Sequence, residues 1–421
     1  MHEIPARTVY VDPAVRRQAN CRARLDRMLP HIRCDDVREL PDGHLDAIRR
    51  LGHRRHGKDD FGDNCVVAFT TFDPARRGWY YHLRDGDAYL AEHGGWCQTA
   101  VELNIVEGCV FRCAYCGFGR FIIFHLDVER FMAGLDGVFA RHPAQRLYKF
   151  SNMTDLPPFE PELDAIGPLI ERFRPEPDRY LMLFTKSDAV GPLLELDHGG
   201  HTIISWSLSP PTASRLIDRR TPPMVDRIEA MRAAQQAGYL VRARLSPMVP
   251  VADWRREYRE LFETLFARAR PDLVTLELLG WFDFADLDRL IDPSLIDPAA
   301  YAAAEAAADE LAGVRWGPFT EATHQEVYRF CIETVRELSP ATPVAVCHGT
   351  PQTWAALGEA MRMAPTAYIC NCGPASTPGG PVYDRMSFRA ANDQGLEDVK
   401  AGRTVPHDPV KRSPPQGLDD C

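Results

Sequence analysis

The chain has 421 residues and a net charge of −10, from 49 basic and 59 acidic side chains. Its 45% hydrophobic and 26% charged residues are ordinary globular composition and exclude wholesale disorder. The acidic balance argues against a broad duplex-DNA footprint, though not against a local basic groove. No apolar run approaches the ~18 residues that cross a bilayer. The first residues show no positive segment followed by an apolar stretch, so a cytoplasmic protein is expected. Length alone suggests two to three domains, or one large domain with extensions. Twelve cysteines are many for that compartment, where disulfides are rare and thiols more often bind metal, do chemistry or pack as small apolar residues.

In chain order, residues 1–98 read as a mixed N-terminal region. It has a strand at Arg7 to Val11, a helix at Ala14 to Leu29 and a His-, Gly- and Asp-rich loop around Gly52 to Asp63. Short strands follow at Cys65 to Thr71 and Gly78 to Leu83. From residue 99 to 281 strands and helices alternate. Strands are expected at Val101 to Val106, Arg146 to Ser151, Tyr180 to Lys186, Thr202 to Ser207, Leu240 to Leu245 and Leu273 to Leu279. Helices are expected at Leu126 to Phe139, Pro161 to Phe173, Ala189 to Leu196, Pro222 to Ala237 and Trp254 to Arg268. The fourth of these takes its apolar face from Val225, Ile228, Met231 and Ala234. Six strand–helix repeats predict an α/β fold: a partial (β/α)6 TIM-type barrel with an N-terminal mixed extension and a C-terminal cysteine-containing subdomain. Chemistry in such barrels lies at the C-terminal ends of the strands. Residues 282–373 read as that helical and cysteine-bearing subdomain, and 374–421, rich in Pro, Gly and Asp, as a poorly ordered tail.

The sharpest motif is EGCVFRCAYC, from Glu107 to Cys116, directly after the first barrel strand. Cys109, Cys113 and Cys116 stand in C-x3-C-x2-C spacing, which lets three thiolates converge on one cluster and leaves a fourth corner open, whereas an ordinary iron–sulfur protein supplies four ligands. Tyr115, just before the third cysteine, is placed to lie beside a small molecule bound there. A zinc knuckle is the alternative, but zinc favours paired C-x2-C groups with a fourth ligand, and no partner pair sits nearby.

This arrangement resembles the radical S-adenosylmethionine superfamily. The resemblance implies a [4Fe–4S] cluster on the three cysteines. It also implies S-adenosylmethionine on the open iron, cleaved reductively to a 5′-deoxyadenosyl radical that abstracts hydrogen, with an external one-electron reductant of the flavodoxin or ferredoxin type. RTVYVDPAV, FTKSDAV, ISWSLSP, RTPPMVDRIEAMRAAQQAGY, ARLSPMVPVADWRREY and LVTLELLGWF followed by VRWG further resemble the spore photoproduct lyase branch, over about residues 7 to 320. Carried over by position, Tyr115, Thr154, Lys186 and Ser207 look like the S-adenosylmethionine contacts. Arg244, late in the fifth strand, needs an anionic partner if buried, which makes a cofactor or substrate carboxylate an expected neighbour.

The departures bear on substrate. The lesion-repairing lyases carry a hydrogen-donating cysteine just after the second barrel strand, where this chain has Asn152. They carry a tyrosine directly after the third cluster cysteine, where it has Gly117. Their DNA-wedging hairpin follows a Trp-Gly pair; here Trp316-Gly317 leads to Pro318-Phe319 and a helix-like run. The expected substrate is therefore a small molecule or modified nucleoside, with duplex DNA and membranes disfavoured. DNA lesion repair and a non-catalytic iron–sulfur or zinc module are the rival readings.

A second cysteine group, Cys347, Cys370 and Cys372 with His348, has three readings: a second metal or cluster, radical-quenching or redox thiols, or buried apolar cysteines. His53 to His56 form a basic loop, more simply solvated than phosphate-binding. Asp283, Asp286 and Asp288 after the sixth strand, and Trp281 at its end, could line the pocket or serve as caps and core.

Overall fold

The computed structural model describes residues 1–53, 65–72, 79–82 and 87–378, with 397 and 401. Its strands are β1 (Ile4–Val11), β2 (Ile32–Arg33), β3 (Val37–Glu39), β4 (Cys65–Thr70), β5 (Trp79–His82), β6 (Ala100–Leu103), β7 (Val106–Glu107), β8 (Phe121–His125), β9 (Leu147–Phe150), β10 (Tyr180–Thr185), β11 (Thr202–Ser207), β12 (Leu240–Met248), β13 (Val274–Leu278) and β14 (Val344–Val346). Most of the expected tail, like residues 54–56 of the basic loop, lies outside the described residues.

The larger sheet runs β14-β13-β12-β11-β10-β9-β6-β5. Its pairings are parallel except β5 with β6. The six expected barrel strands are β6 and β9 to β13. Central strands such as YLMLFT and TIISWS are covered on both faces and so read as near-continuous apolar runs. The parallel series continues past residue 281. After helices Phe284–Leu290, Pro298–Ala306 and Glu321–Leu338, β14 adds a seventh parallel strand beside β13. The apolar residues before Cys347 read as a strand in the sequence, but its place in the barrel sheet was not evident, because three helices separate it from the regular alternation.

The smaller sheet runs β2-β1-β4-β8-β7, with β3 also on β1. It joins the N-terminal region to β7 and β8, which flank the cysteine triplet, so that loop connects two neighbouring antiparallel strands of this sheet. One apolar core runs from Ile4 through the barrel to Cys372.

Local chemistry sets the helix bounds. Thr320 and Thr350 cap their helices through Oγ1, accepting from the N–H of Thr323 and Thr353. The helix expected from Pro161 starts at Ile166, because the Glu160 carboxylate accepts from the N–H groups of Asp164, Ala165 and Ile166. Between β10 and β11 only a single turn, Gly191–Leu193, forms where a helix was expected. In Met224–Gln236 the buried face begins at Met224 and Arg227, whereas Val225 is 41% exposed.

The C-terminal cysteine segment is not a separate body. Gln98 Nε2 donates to Tyr368 O at 2.8 Å, Ser205 Oγ to Asn371 Oδ1 at 3.1 Å, and Arg242 Nη1 to Asn371 O at 2.8 Å. Arg146 N donates to Pro374 O at 2.9 Å. Residues 368–376 thus fold back against β6, β9, β11 and β12. No described helix is long and apolar enough to cross a membrane.

Candidate functional site

The triplet loop starts at Gly108, where φ is +92° and a Cβ would fall 1.8 Å from Phe121 O. Only glycine lets the chain turn this closely past β8. Just before it, Glu107 is buried and accepts from Arg49 Nε at 2.9 Å and Nη2 at 2.7 Å, with His125 Nε2 at 3.1 Å. Burial pushes this carboxyl up, but His125 and Arg49 outweigh it and hold it well below the usual range.

The loop's backbone is tied at several points. Gly108 N donates to Met153 O, Cys109 N to Phe118 O, and Cys116 N to Cys113 O. Arg112 N and Ala114 N donate to Arg219 O and Ile217 O, which brings Asp218 alongside. Cys116 is exposed, while Cys113 is buried. Burial raises the thiols of Cys109 and, to about 12, Cys113, while the Lys186 ammonium pulls Cys113 the other way.

Around them sits a buried charge network. Asp218 accepts from Lys186 Nζ at 2.7 Å, Arg227 Nη1 at 2.9 Å and Ser209 Oγ at 2.6 Å, and the Tyr115 hydroxyl contacts both Asp218 and Lys186. Burial pushes the Asp218 carboxyl up, but Lys186 and Arg227 prevail and hold it ionised. Asp155 accepts from Thr185 Oγ1 at 2.7 Å and from Lys186 N. Burial nevertheless raises it to about 6.

Lys186 directly follows β10, Ser207 ends β11, and Asn152, Thr154 and Asp155 follow β9, so all lie at C-terminal strand ends. Thr154 Oγ1 is buried with no hydrogen-bond partner among the described residues. Ser207 is buried, and its carbonyl accepts from Arg227. Asn152 N donates to Asn104 Oδ1 at 3.1 Å. The anionic partner expected for Arg244 is Glu277, at 3.0 Å. Trp281 and Asp286 lie at and beyond the end of β13, with Asp286 paired to Arg289.

Asp218, Arg227, Asp155 and Glu107 with Arg49 escaped the sequence reading. Charged loop residues look alike whether buried or solvated. Only Arg227, spaced three residues from Met224 and one from Ile228 on the buried face, left a signal in the periodicity.

Residues 98–283 match the family model described as spore photoproduct lyase. The spore photoproduct lyase of Clostridium acetobutylicum is 25% identical over 169 residues, 38% of this chain and 50% of that protein. That of Bacillus subtilis is 27% identical over 187 residues, 42% of this chain and 55% of that protein. Residues 98–283 are thus similar to the spore photoproduct lyase family. The alignments span about half the length of these curated relatives. Solved spore photoproduct lyase variants share the fold. One superposes with a TM-score of 0.61 at 15% identity, covering 82% of this chain and 99% of the other. Another, with bound AdoMet and dinucleoside spore photoproduct, gives 0.59 at 16% identity, covering 82% and 99%. These likenesses establish a curled, partial TIM-type barrel.

The residues present fit the groups this branch implies. The three thiols lie within electrostatic reach of one another. Among the described residues only Glu277, Cys347 and His348 bring three such donor atoms within 4.8 Å of one another, so the triplet is too open for one small ion and suits a larger cluster. The Thr154 hydroxyl is buried with no partner among the described residues and is open to a polar ligand, and Lys186 and Arg227 bring positive charge to Asp218.

Proposed function

We propose that the chain is a radical S-adenosylmethionine enzyme acting on a small-molecule or modified-nucleoside substrate. The observation that carries this reading is the triplet loop, open at Cys116 and braced against the Tyr115–Lys186–Asp218–Arg227 network at the C-terminal strand ends.

Cys109, Cys113 and Cys116 would hold a [4Fe–4S] cluster, and Tyr115, Thr154, Lys186 and Ser207 would line the S-adenosylmethionine site. When bound, these groups supply reductive cleavage to a 5′-deoxyadenosyl radical that abstracts a hydrogen atom. The chain's own part is to bind, orient and exclude water. Asp218 holds Lys186 by one carboxylate oxygen and Arg227 by the other, so the ammonium is positioned as a point charge. Tyr115 is fixed by the same carboxylate. Glu107 anchors the turn into the loop through Arg49.

The substrate would enter the barrel interior. The buried Lys149–Glu102 pair, Phe184, and Arg244 with Glu277 offer a polar lining with one aromatic face. Asn152 occupies the position of the lyases' hydrogen-donating cysteine, and after Trp316-Gly317 the chain passes directly to helix Glu321–Leu338. Both support a substrate other than a DNA dimer lesion. The bound dinucleoside in the solved relatives keeps a nucleoside class in view.

The test is anaerobic reconstitution with iron and sulfide, then reduction with S-adenosylmethionine. A cubane paramagnetic signal perturbed by S-adenosylmethionine, with 5′-deoxyadenosine formed, is expected. A cluster that ignores S-adenosylmethionine would overturn the reading. Repair of a dinucleoside spore photoproduct at the relatives' level would overturn the substrate class alone.

A further inference from the structure

Two neighbouring strands bring a carboxylate and a thiol to one spot. Leu276 of β13 pairs with Val346 of β14, and Cys347 N donates to Leu276 O at 2.8 Å. Glu277 and Cys347 are the next residues along, so they leave the sheet on the same face. That face is the barrel interior. Arg244, level with Thr275, reaches Glu277 Oε2 with Nη2 at 3.0 Å and lies over the Phe184 ring at 5.0 Å. Ser246 Oγ also donates to Oε2.

A regular strand would send His348 to the opposite face, because consecutive side chains alternate. Instead His348 holds a φ of +52°, a left-handed conformation that non-glycine residues rarely adopt. Close packing holds the turn. A Cβ on Gly95 would fall 2.4 Å from His348 O, and Trp96 N donates to Gly349 O at 2.9 Å. The imidazole thus returns to Glu277 and Cys347, with Nδ1 2.9 Å from Glu277 Oε1 and 3.4 Å from Cys347 Sγ. The Trp281 ring meets it edge to face, centroids 5.9 Å apart.

Carboxylate oxygen, thiol sulfur and ring nitrogen all lie within 4.8 Å of one another. Around a tetrahedral zinc-type ion an N–S ligand pair stands roughly 3.6 Å apart and an N–O pair roughly 3.4 Å. The separations here are slightly shorter, so small outward shifts would seat the ion. A single ring proton serves either Glu277 or Cys347, whereas a divalent cation serves all three groups at once. The trio is also reachable, with the His348 side chain 21% and that of Glu277 14% exposed. Three protein ligands with open access are the pattern of a zinc site that keeps a fourth position for water or substrate. A thiolate, a carboxylate and a neutral imidazole balance the ion's two charges. Arg244 on the other carboxylate oxygen adds one positive charge, which favours an anion at the open position.

We propose that Glu277, Cys347 and His348 bind one zinc-type divalent ion at the C-terminal ends of β13 and β14, with an open fourth position facing the barrel interior. Cys370 and Cys372 take no part in it; they contact each other, Sγ atoms 3.9 Å apart, on the segment folded back into the barrel. The site neither uses the triplet nor rests on the reading proposed for it.

The test uses the full chain with Cys109, Cys113 and Cys116 all changed to Ala, which removes thiols that could trap metal elsewhere. After dialysis against a mild chelator it should retain about one equivalent of zinc. Cobalt(II) in its place should give tetrahedral ligand-field bands with a thiolate charge-transfer band, and added azide should shift the ligand-field bands by entering the open position. Cys347→Ser should abolish the charge-transfer band and weaken zinc binding by more than the about 10- to 100-fold that loss of an outer-shell partner costs. Glu277→Gln should weaken zinc binding and keep the charge-transfer band. Cys370→Ser with Cys372→Ser should change neither readout. Should the triple-alanine parent fail to fold by circular dichroism, Cys347→Ser in the otherwise intact chain, before any iron is added, should still remove one equivalent of zinc. No retained zinc and no tetrahedral cobalt bands, or a charge-transfer band that survives Cys347→Ser, would overturn the site. Bands indifferent to azide would overturn its open position. None of these measurements uses S-adenosylmethionine, so failure here and failure of the triplet reading are told apart.

Discussion

The triplet cysteines come from one short loop, whereas those of the second group are divided between a strand end and a segment folded back through the barrel. The first is held by backbone ties to residues 118, 153 and 217 to 219, and by the Glu107–Arg49 pair. The second depends on the whole sheet closing, because Ser205 of β11 and Arg242 of β12 hold Asn371 between the two cysteines. Local spacing therefore places one group and tertiary closure the other. The two should fail differently when the chain is perturbed.

The largest separation should come from Cys113→Ala. It should abolish cluster iron and deoxyadenosine formation while leaving the fold of the C-terminal segment intact, as read by iron and sulfide analysis and circular dichroism. Equal iron in variant and wild type would break the comparison.

Arg227→Ala should come next. It removes a fully buried guanidinium and leaves Asp218 with Lys186 as its remaining cation. Breaking a buried pair in this way costs about 3–5 kcal/mol, to be measured by denaturant unfolding.

A third test is pH. Burial holds the His324 imidazole down at about 4, against Glu321, which favours the charged form. Its Nε2 donates to Trp316 O at 3.1 Å. The unfolded chain, titrating near 6.5, takes up the proton first as pH falls. Stability from this group is thus present above pH ~6.5 and lost on descending to ~4, amounting to about 3 kcal/mol at most. His324→Gln should flatten the unfolding free energy across that window. An unchanged slope would show that the ring is solvated.

The smallest effect should be Lys186→Ala, expected to weaken S-adenosylmethionine binding about tenfold, or ~1.4 kcal/mol, by equilibrium binding to the reconstituted protein.

The same contrast governs what the sequence disclosed. The strand–helix alternation, the triplet, and the placement of Lys186, Thr154 and Ser207 at strand ends were legible, because each rests on local pattern. The strand before Cys347 was legible, but its pairing with β13 was hidden behind three helices. Glu277 gave no hint of a shared site with Cys347, since parallel strands bring together residues far apart in sequence. Asp218 and Arg227 were missed because a buried ion pair has the same composition as a solvated one. Arg244 was rightly expected to need an anion, but its partner is the chain's own Glu277.

The return of residues 368–376 into the barrel also fixes an order of events during synthesis. Ser205, Arg242 and Gln98 emerge from the ribosome long before Asn371, Ser376 and Tyr368, which satisfy them. Until then Arg242 has Asp272 as its available partner, at 2.9 Å in the finished fold. Domains usually consolidate from the N-terminus as they are made. Here the polar groups of Gln98, Ser205 and Arg242 find these partners only when residues 368–376 have been made and folded back.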